Sequence, residues 1–139
     1  MDGYKFVHSL RVRYSEIDGQ KIVFNAHYLT YIDVAITEYF REVVRPLPDG
    51  EEFDFVLAKV VLEFKGSAYL DDILNIYCRT VRLGNSSFTV QFVIQRDETK
   101  ETIVLAEVVY VSYDVHTRRA VPIPPVVRER IRAFEGLTD

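Results

Sequence analysis

YSEIDGQKIVFNAHYLTYIDVAITEYFREVV, residues 14–44, is the stretch whose periodicity decides the fold. It opens with a short acidic loop, SEIDGQK, in which Asp18-Gly19 is a turn signal. Ile22, Val23 and Phe24 form a short apolar bridge. Asn25 is the expected N-cap, because its side chain can accept from the exposed amides of a first helical turn. From His27 to Val44 the apolar residues Tyr28, Leu29, Ile32, Ala35, Ile36, Tyr39, Phe40 and Val43 recur at helical spacings, which predicts an amphipathic helix about 27 Å long. Tyr31 and Val34 widen the apolar surface to a second side, so the helix is expected to be covered over much of its circumference, as by a curved sheet. Pro46 and Pro48 end it.

Upstream, residues 4–14 alternate. Phe6, His8, Leu10, Val12 and Tyr14 share one face and Lys5, Arg11 and Arg13 the other, the two-residue period of a half-buried strand. Downstream come four strand-like runs, Phe55–Gly66, Ile73–Arg82, Ser87–Gln95 and Ile103–Asp114, joined by short turns at 68–72, 83–85 and 96–101. Consecutive strands on short turns predict an antiparallel meander. Residues 121–125 close the sheet, and Val126–Phe134 is a short charged helix. The order strand, long helix, four strands, short helix is an α+β arrangement, a long central helix wrapped by a curved antiparallel sheet, in one domain over residues 1–139. Such a sheet leaves open edges, and a second subunit is expected to cover them.

Composition narrows the function. The net charge of −4 offers no basic excess for a phosphate backbone, so nucleic acid is not an expected partner. The N-terminal residues carry no continuous apolar segment, so neither a signal peptide nor a membrane span is expected, and the chain is placed in the cytoplasm. The single cysteine, Cys78, lies in a strand-like run and reads as a buried inert thiol. His8, His27 and His116 are scattered without metal-ligand spacing, so no metal is expected. A Gly-rich phosphate loop, a GxSxG elbow and a paired CxxC are absent from the sequence.

What remains is Asp18 ahead of a helix start. First-turn amides lack intrahelical acceptors and carry the positive end of the helix dipole. A carbonyl placed there would have its developing oxyanion stabilised, and a nearby carboxylate can attack it or deprotonate water. By residue type alone Asp18 reads more often as an ordinary Asp-Gly loop residue than as a catalytic one.

The segments Tyr14-Ser-Glu-Ile-Asp18, Ile22-Val-Phe-Asn-Ala-His-Tyr28 and Tyr31-Ile-Asp33 resemble the signature of the hotdog-fold acyl-CoA thioesterases, the 4-hydroxybenzoyl-CoA thioesterase-like group. Tyr69-Leu-Asp-Asp72, Gly84-Asn-Ser-Ser-Phe88 and Pro122-Ile-Pro124 are similar to the same family further along the chain. The resemblance implies the hotdog fold and hydrolysis of an acyl-CoA to free acid and CoA, with CoA as part of the substrate and no separate cofactor. It implies a homodimer or homotetramer. Asp18 matches the family's catalytic aspartate, as nucleophile or general base, and the backbone amide near Asn25 matches its oxyanion donor. Lys21, Phe24, His27 and Tyr28 are the expected substrate-binding residues, with Tyr28 also reading as core.

Three positions depart from the family pattern. Lys21 stands where Gly is usual, which implies a changed loop backbone or pocket entrance, and places a long cation within reach of a CoA phosphate. Asn25 stands where many relatives carry His, and Ile36 where Arg is frequent. Asp33 takes the helix acid position and reads as structural, pairing at a subunit contact. Lys59, Lys65, Arg82, Arg118 and Arg119 are further candidates for the phosphates by type. Against the thioesterase stand a non-catalytic acyl-CoA or acyl-carrier-protein binding protein and a hydratase of the same fold. The hydratase chemistry calls for a loop His beside the acid, and none is present next to Asp18.

Overall fold

The computed structural model describes residues 1–138. The elements run β1 (Phe6–Arg11), α1 (His27–Val43), β2 (Asp54–Phe64), β3 (Ile73–Leu83), β4 (Ser87–Arg96), β5 (Thr102–Asp114), β6 (Arg119–Ala120) and α2 (Pro125–Glu135). One antiparallel sheet has the order β1-β3-β4-β5-β2, with the two-residue β6 added to the end of β5.

Register fixes which side chains face the helix. Phe6, Cys78, Phe92, Ala106 and Leu62 lie in one row across the sheet, and His8, Ile76, Ile94, Val104 and Phe64 in the next. The central members of both rows are buried, as two-residue alternation requires when one face packs on a core. From α1 the buried residues are Tyr28, Tyr31, Ile32, Ala35, Ile36, Tyr39 and Phe40, the stripe expected from the spacing. At the C-terminal end of that stripe the Phe40 ring meets Phe55, Phe53 and Phe88 at centroid distances of 4.9, 5.2 and 5.8 Å. These edge-on contacts tie the helix to β2 and β4. The last turn of α2 closes the other side: Tyr39 donates its hydroxyl proton to Glu135 Oε2 at 2.5 Å, and the Thr80 amide donates to the same oxygen at 3.0 Å.

Four expectations need correction. First, the meander comprises only β3, β4 and β5, because β2 pairs with β5 rather than with β3. The connection between Phe64 and Ile73 is too long for a tight hairpin, and it crosses the end of α1 instead of turning back. Second, β1 stops at Arg11. Tyr14 begins a 3-10 turn over Tyr14–Glu16 and is 76% exposed rather than facing the helix. Third, Val34 is exposed, so the cover that the curved sheet gives α1 stops short of the flank Val34 was expected to add to it. Fourth, the N-cap of α1 is Ala26, without a side-chain cap, and the Asn25 side chain does not cap the helix.

Candidate active site

The loop that leads into α1 folds as a miniature sheet. Ile17 pairs with Val23, and Ile22 in turn pairs with Tyr69 on the β2–β3 connection. The Asp18 amide donates to the Ile22 carbonyl at 2.8 Å, the Phe24 amide to the Glu16 carbonyl at 3.0 Å, and the Val23 amide to the Ala68 carbonyl at 2.9 Å. Three short extended segments therefore lie side by side at the N-terminal end of α1. The turn between the first two is closed by the Lys21 amide on the Asp18 carbonyl, 2.9 Å, and by the Gln20 amide on Asp18 Oδ1, 2.8 Å. One carboxylate oxygen of Asp18 thus holds its own turn, the ordinary habit of Asp at such a position, and leaves the second for chemistry. The side chain is half-buried.

Lys21 carries φ of 69°, in the left-handed region that glycine adopts without a Cβ clash. Lys21 therefore sits in a backbone conformation that suits glycine better than a residue with a Cβ.

The helix start is tightly wound. The amides of His27, Tyr28 and Leu29 donate to the carbonyls of Phe24, Asn25 and Ala26 at 2.9, 3.3 and 3.2 Å, three-residue bonds of the 3-10 type. Among the described residues, the Asn25 and Ala26 amides are left without an acceptor within the chain. The donors at this helix end are therefore these two, both on exposed residues.

Neighbouring side chains fix the loop in place. Tyr28 is buried, and its hydroxyl accepts the Ala68 amide at 3.2 Å, so it holds the β2–β3 connection against the helix. Phe24 is 51% exposed and meets the half-buried His27 ring edge-on at 6.2 Å. Glu16 was not anticipated as a site residue, yet it is 3% exposed and anchors the whole turn. Its carboxylate accepts from the Arg13 amide at 2.8 Å, from the Arg13 guanidinium at 2.6 and 2.9 Å, and from the Tyr31 hydroxyl at 2.8 Å. Burial pushes its carboxyl up, but these donors outweigh burial and hold it below the usual carboxylate range. The sequence signal was available: a carboxylate three residues after Arg13, at the break in the alternation.

Arg96, also unanticipated, is 8% exposed and bonds Asp72 at 3.0 Å, Glu101 at 2.5 Å and the Ser67 carbonyl. Asp33, on the exposed flank of α1, has no ion pair among the described residues, and burial raises its carboxyl. Nearby, the Tyr110 hydroxyl is enclosed with no hydrogen-bond partner among the described residues. Cys78 is buried, and burial raises its thiol well above the usual range, as expected of an inert thiol. Of the candidate cations, Lys65 pairs with Glu63 at 3.3 Å, and Lys59 follows the bulge in β2. Arg118 and Arg119 lie at the β5–β6 hairpin, and Arg82 on β3 beside Leu83. The Asp18 turn brings only Lys21 of this group to its own loop. Among the described residues, no group of three or more His, Cys, Asp or Glu side chains could hold a metal ion. No helix among them is long and apolar enough to cross a membrane.

A long helix laid on one curved antiparallel sheet is the hotdog architecture of solved thioesterase structures. One such structure, a thioesterase from Thermus thermophilus complexed with coenzyme A and Zn, superimposes with a TM-score of 0.84 over 100% of both chains at 29% identity. A 1,4-dihydroxy-2-naphthoyl-CoA thioesterase from Synechocystis shares the fold, with a TM-score of 0.79 at 18% identity over 91% of this chain and 94% of that one. In sequence, the acyl-CoA thioesterase YbgC of Helicobacter pylori is 35% identical over 66 residues, 48% of this chain and 49% of that protein. The profile of the thioesterase-like superfamily matches residues 12–131, and the chain belongs to that superfamily. It is a thioester hydrolase.

Proposed function

We propose that the chain hydrolyses an acyl-CoA thioester to the free acid and CoA at the Asp18 turn. The observation that carries this reading is the pair of acceptor-less amides at Asn25 and Ala26, at the end of the loop that holds Asp18. The thioester carbonyl oxygen binds those amides, where the helix dipole adds to the two donors. The oxygen of Asp18 that is not held by Gln20 then attacks the carbonyl carbon and expels the CoA thiolate, leaving an acyl–aspartyl anhydride that water cleaves to the free acid and the carboxylate, or it takes a proton from a water that attacks the carbonyl directly. Asn25 acts through its backbone. Phe24 and His27 line the approach, Tyr28 supports the site from beneath, and Lys21 faces the CoA phosphates. No cofactor enters beyond the CoA of the substrate.

The active form is a homodimer or a homotetramer in the cytoplasm. The half-exposed apolar residues of the β2 edge support the assembly, and the free, buried Cys78 is compatible with a reducing compartment. A panel of acyl-CoAs with thiol detection tests the activity. Asp18→Asn is expected to lower kcat by at least about a hundredfold, the scale of a lost acid–base or nucleophilic group; full turnover by that variant would remove Asp18 from the mechanism. Label found in the Asp18 carboxylate after single turnover in ¹⁸O-water would establish direct attack, since general-base catalysis places the label in the free acid alone.

A further inference from the structure

On the acyl-CoA reading above, we propose that the Tyr69 ring is the platform on which the adenine of the substrate's CoA stacks, with Lys21 taking the phosphates beside it. Tyr69 is tied into the catalytic loop by its pairing with Ile22, whose carbonyl accepts the Asp18 amide. Adjacent extended segments lie about 4.8 Å apart, so the Tyr69 backbone is about 10 Å from that of Asp18. A pantetheine arm that leaves the helix start and bends back over Phe24 and Ile22 would bring the nucleotide to the Tyr69 ring.

The ring is both exposed and held. Half of Tyr69 faces solvent, at 50%. Its amide donates to Asp72 Oδ2 at 2.8 Å, and the Arg96 guanidinium carbon lies 5.3 Å from the ring centroid. Arg96 is itself fixed by Asp72, Glu101 and the Ser67 carbonyl. A cation packed against an aromatic ring steadies it in one orientation, and a ring already in place loses little freedom when a base stacks on it. A stacked base of this kind changes affinity by a factor of roughly 5–150.

Charge sets the direction of the ligand. Asp72 and Glu101 outnumber the single charge of Arg96, so that cluster is anionic and repels a diphosphate. Lys21 stands at the neighbouring position of the same ladder, exposed and without an ion pair among the described residues. The base therefore lies over Tyr69 and the phosphates point to Lys21. Phe24, exposed two residues after Ile22 on the side of the helix start, flanks the arm.

The test compares one acyl group carried on CoA and on N-acetylcysteamine, which has the thioester but no nucleotide. Tyr69→Ala is expected to raise KM for the acyl-CoA about tenfold, with kcat and the N-acetylcysteamine reaction unchanged. Tyr69→Phe keeps the ring and is expected to match wild type. Equal losses on both substrates, or no loss on acyl-CoA, would overturn the platform. Calorimetry with adenosine 3′,5′-bisphosphate adds a readout that needs no turnover: wild type binds it and Tyr69→Ala binds it about tenfold more weakly. Nucleotide binding that depends on Tyr69 in a protein without acyl-CoA hydrolysis would sink the catalytic reading alone. Hydrolysis with nucleotide binding indifferent to Tyr69 would sink the platform alone.

Discussion

Lys21 is the residue at which a local cost is visible. Its left-handed φ of 69° brings a Cβ against the following carbonyl, which costs roughly 1–2 kcal/mol and which glycine avoids. Lys21→Gly removes that cost but adds about 0.5–1 kcal/mol of unfolded-chain entropy. The net expectation is a gain of about 0.5 kcal/mol, read as a higher urea midpoint at unchanged slope. The same variant loses the ammonium beside the nucleotide path, so KM for acyl-CoA is expected to rise severalfold while kcat holds. A fall in stability together with an unchanged KM would show that the lysine is there for neither reason. The residue type at this position was legible in the sequence as a departure. Its φ was not, because a backbone angle is set by the turn around it, here the closure of Lys21 on Asp18.

At the scale of elements, the turn and the helix are joined through one buried carboxylate. Glu16 holds Arg13 on one side and the Tyr31 hydroxyl of α1 on the other, so Glu16→Gln weakens the attachment of the catalytic loop to the helix. Loss of bonds to a buried charge costs about 1.5–3 kcal/mol, and the exposure of Arg13 places the effect at the lower end. The pH dependence has a definite sign. The folded carboxyl lies below its unfolded value, about 4.3, so its contribution is complete above that pH and disappears as pH falls through the folded value. Wild type and Glu16→Gln should therefore differ in urea midpoint at pH 7 and converge as pH falls below the ordinary carboxylate range; a gap that is constant with pH would contradict the charge as its cause. Elements of this kind divide cleanly in what periodicity reveals. The apolar spacing of α1 and the alternation of Phe88, Val90, Phe92 and Ile94 predict a helix and a strand that the structure contains, since both report burial on one face. The partner of β2 was not legible because it depends on the path of the 65–72 connection, and the missing Asn25 cap because the helix start is wound by three-residue bonds from Phe24 onward.

For the whole molecule, the unsolved surface is the β2 edge. This strand runs 11 residues with one side unpaired, and Val56, Leu57, Val61 and Phe64 are each between 42 and 49% exposed. A long apolar edge of this kind invites pairing with another strand, and Lys59 is the only charged side chain between Phe55 and Leu62 to discourage it. The exposed flank of α1 at Asp33, Val34 and Thr37 adds surface that the chain's own sheet leaves uncovered. Dimerisation through β2 would continue the sheet across the two-fold axis and bring a second copy towards this flank. Sedimentation of the wild-type protein at micromolar concentration is expected to give at least twice the 16.2 kDa of the chain. Leu57→Lys with Val61→Lys places two like charges on that edge, repeated on the partner by symmetry, and is expected to shift the equilibrium to monomer. Both side chains are already half-exposed in the single chain, so the circular dichroism spectrum of the variant should keep its native shape. If the monomeric variant also loses turnover with Asp18 and its loop intact, the acyl pocket is shared between copies; a wild-type monomer with full activity would refute the assembly altogether.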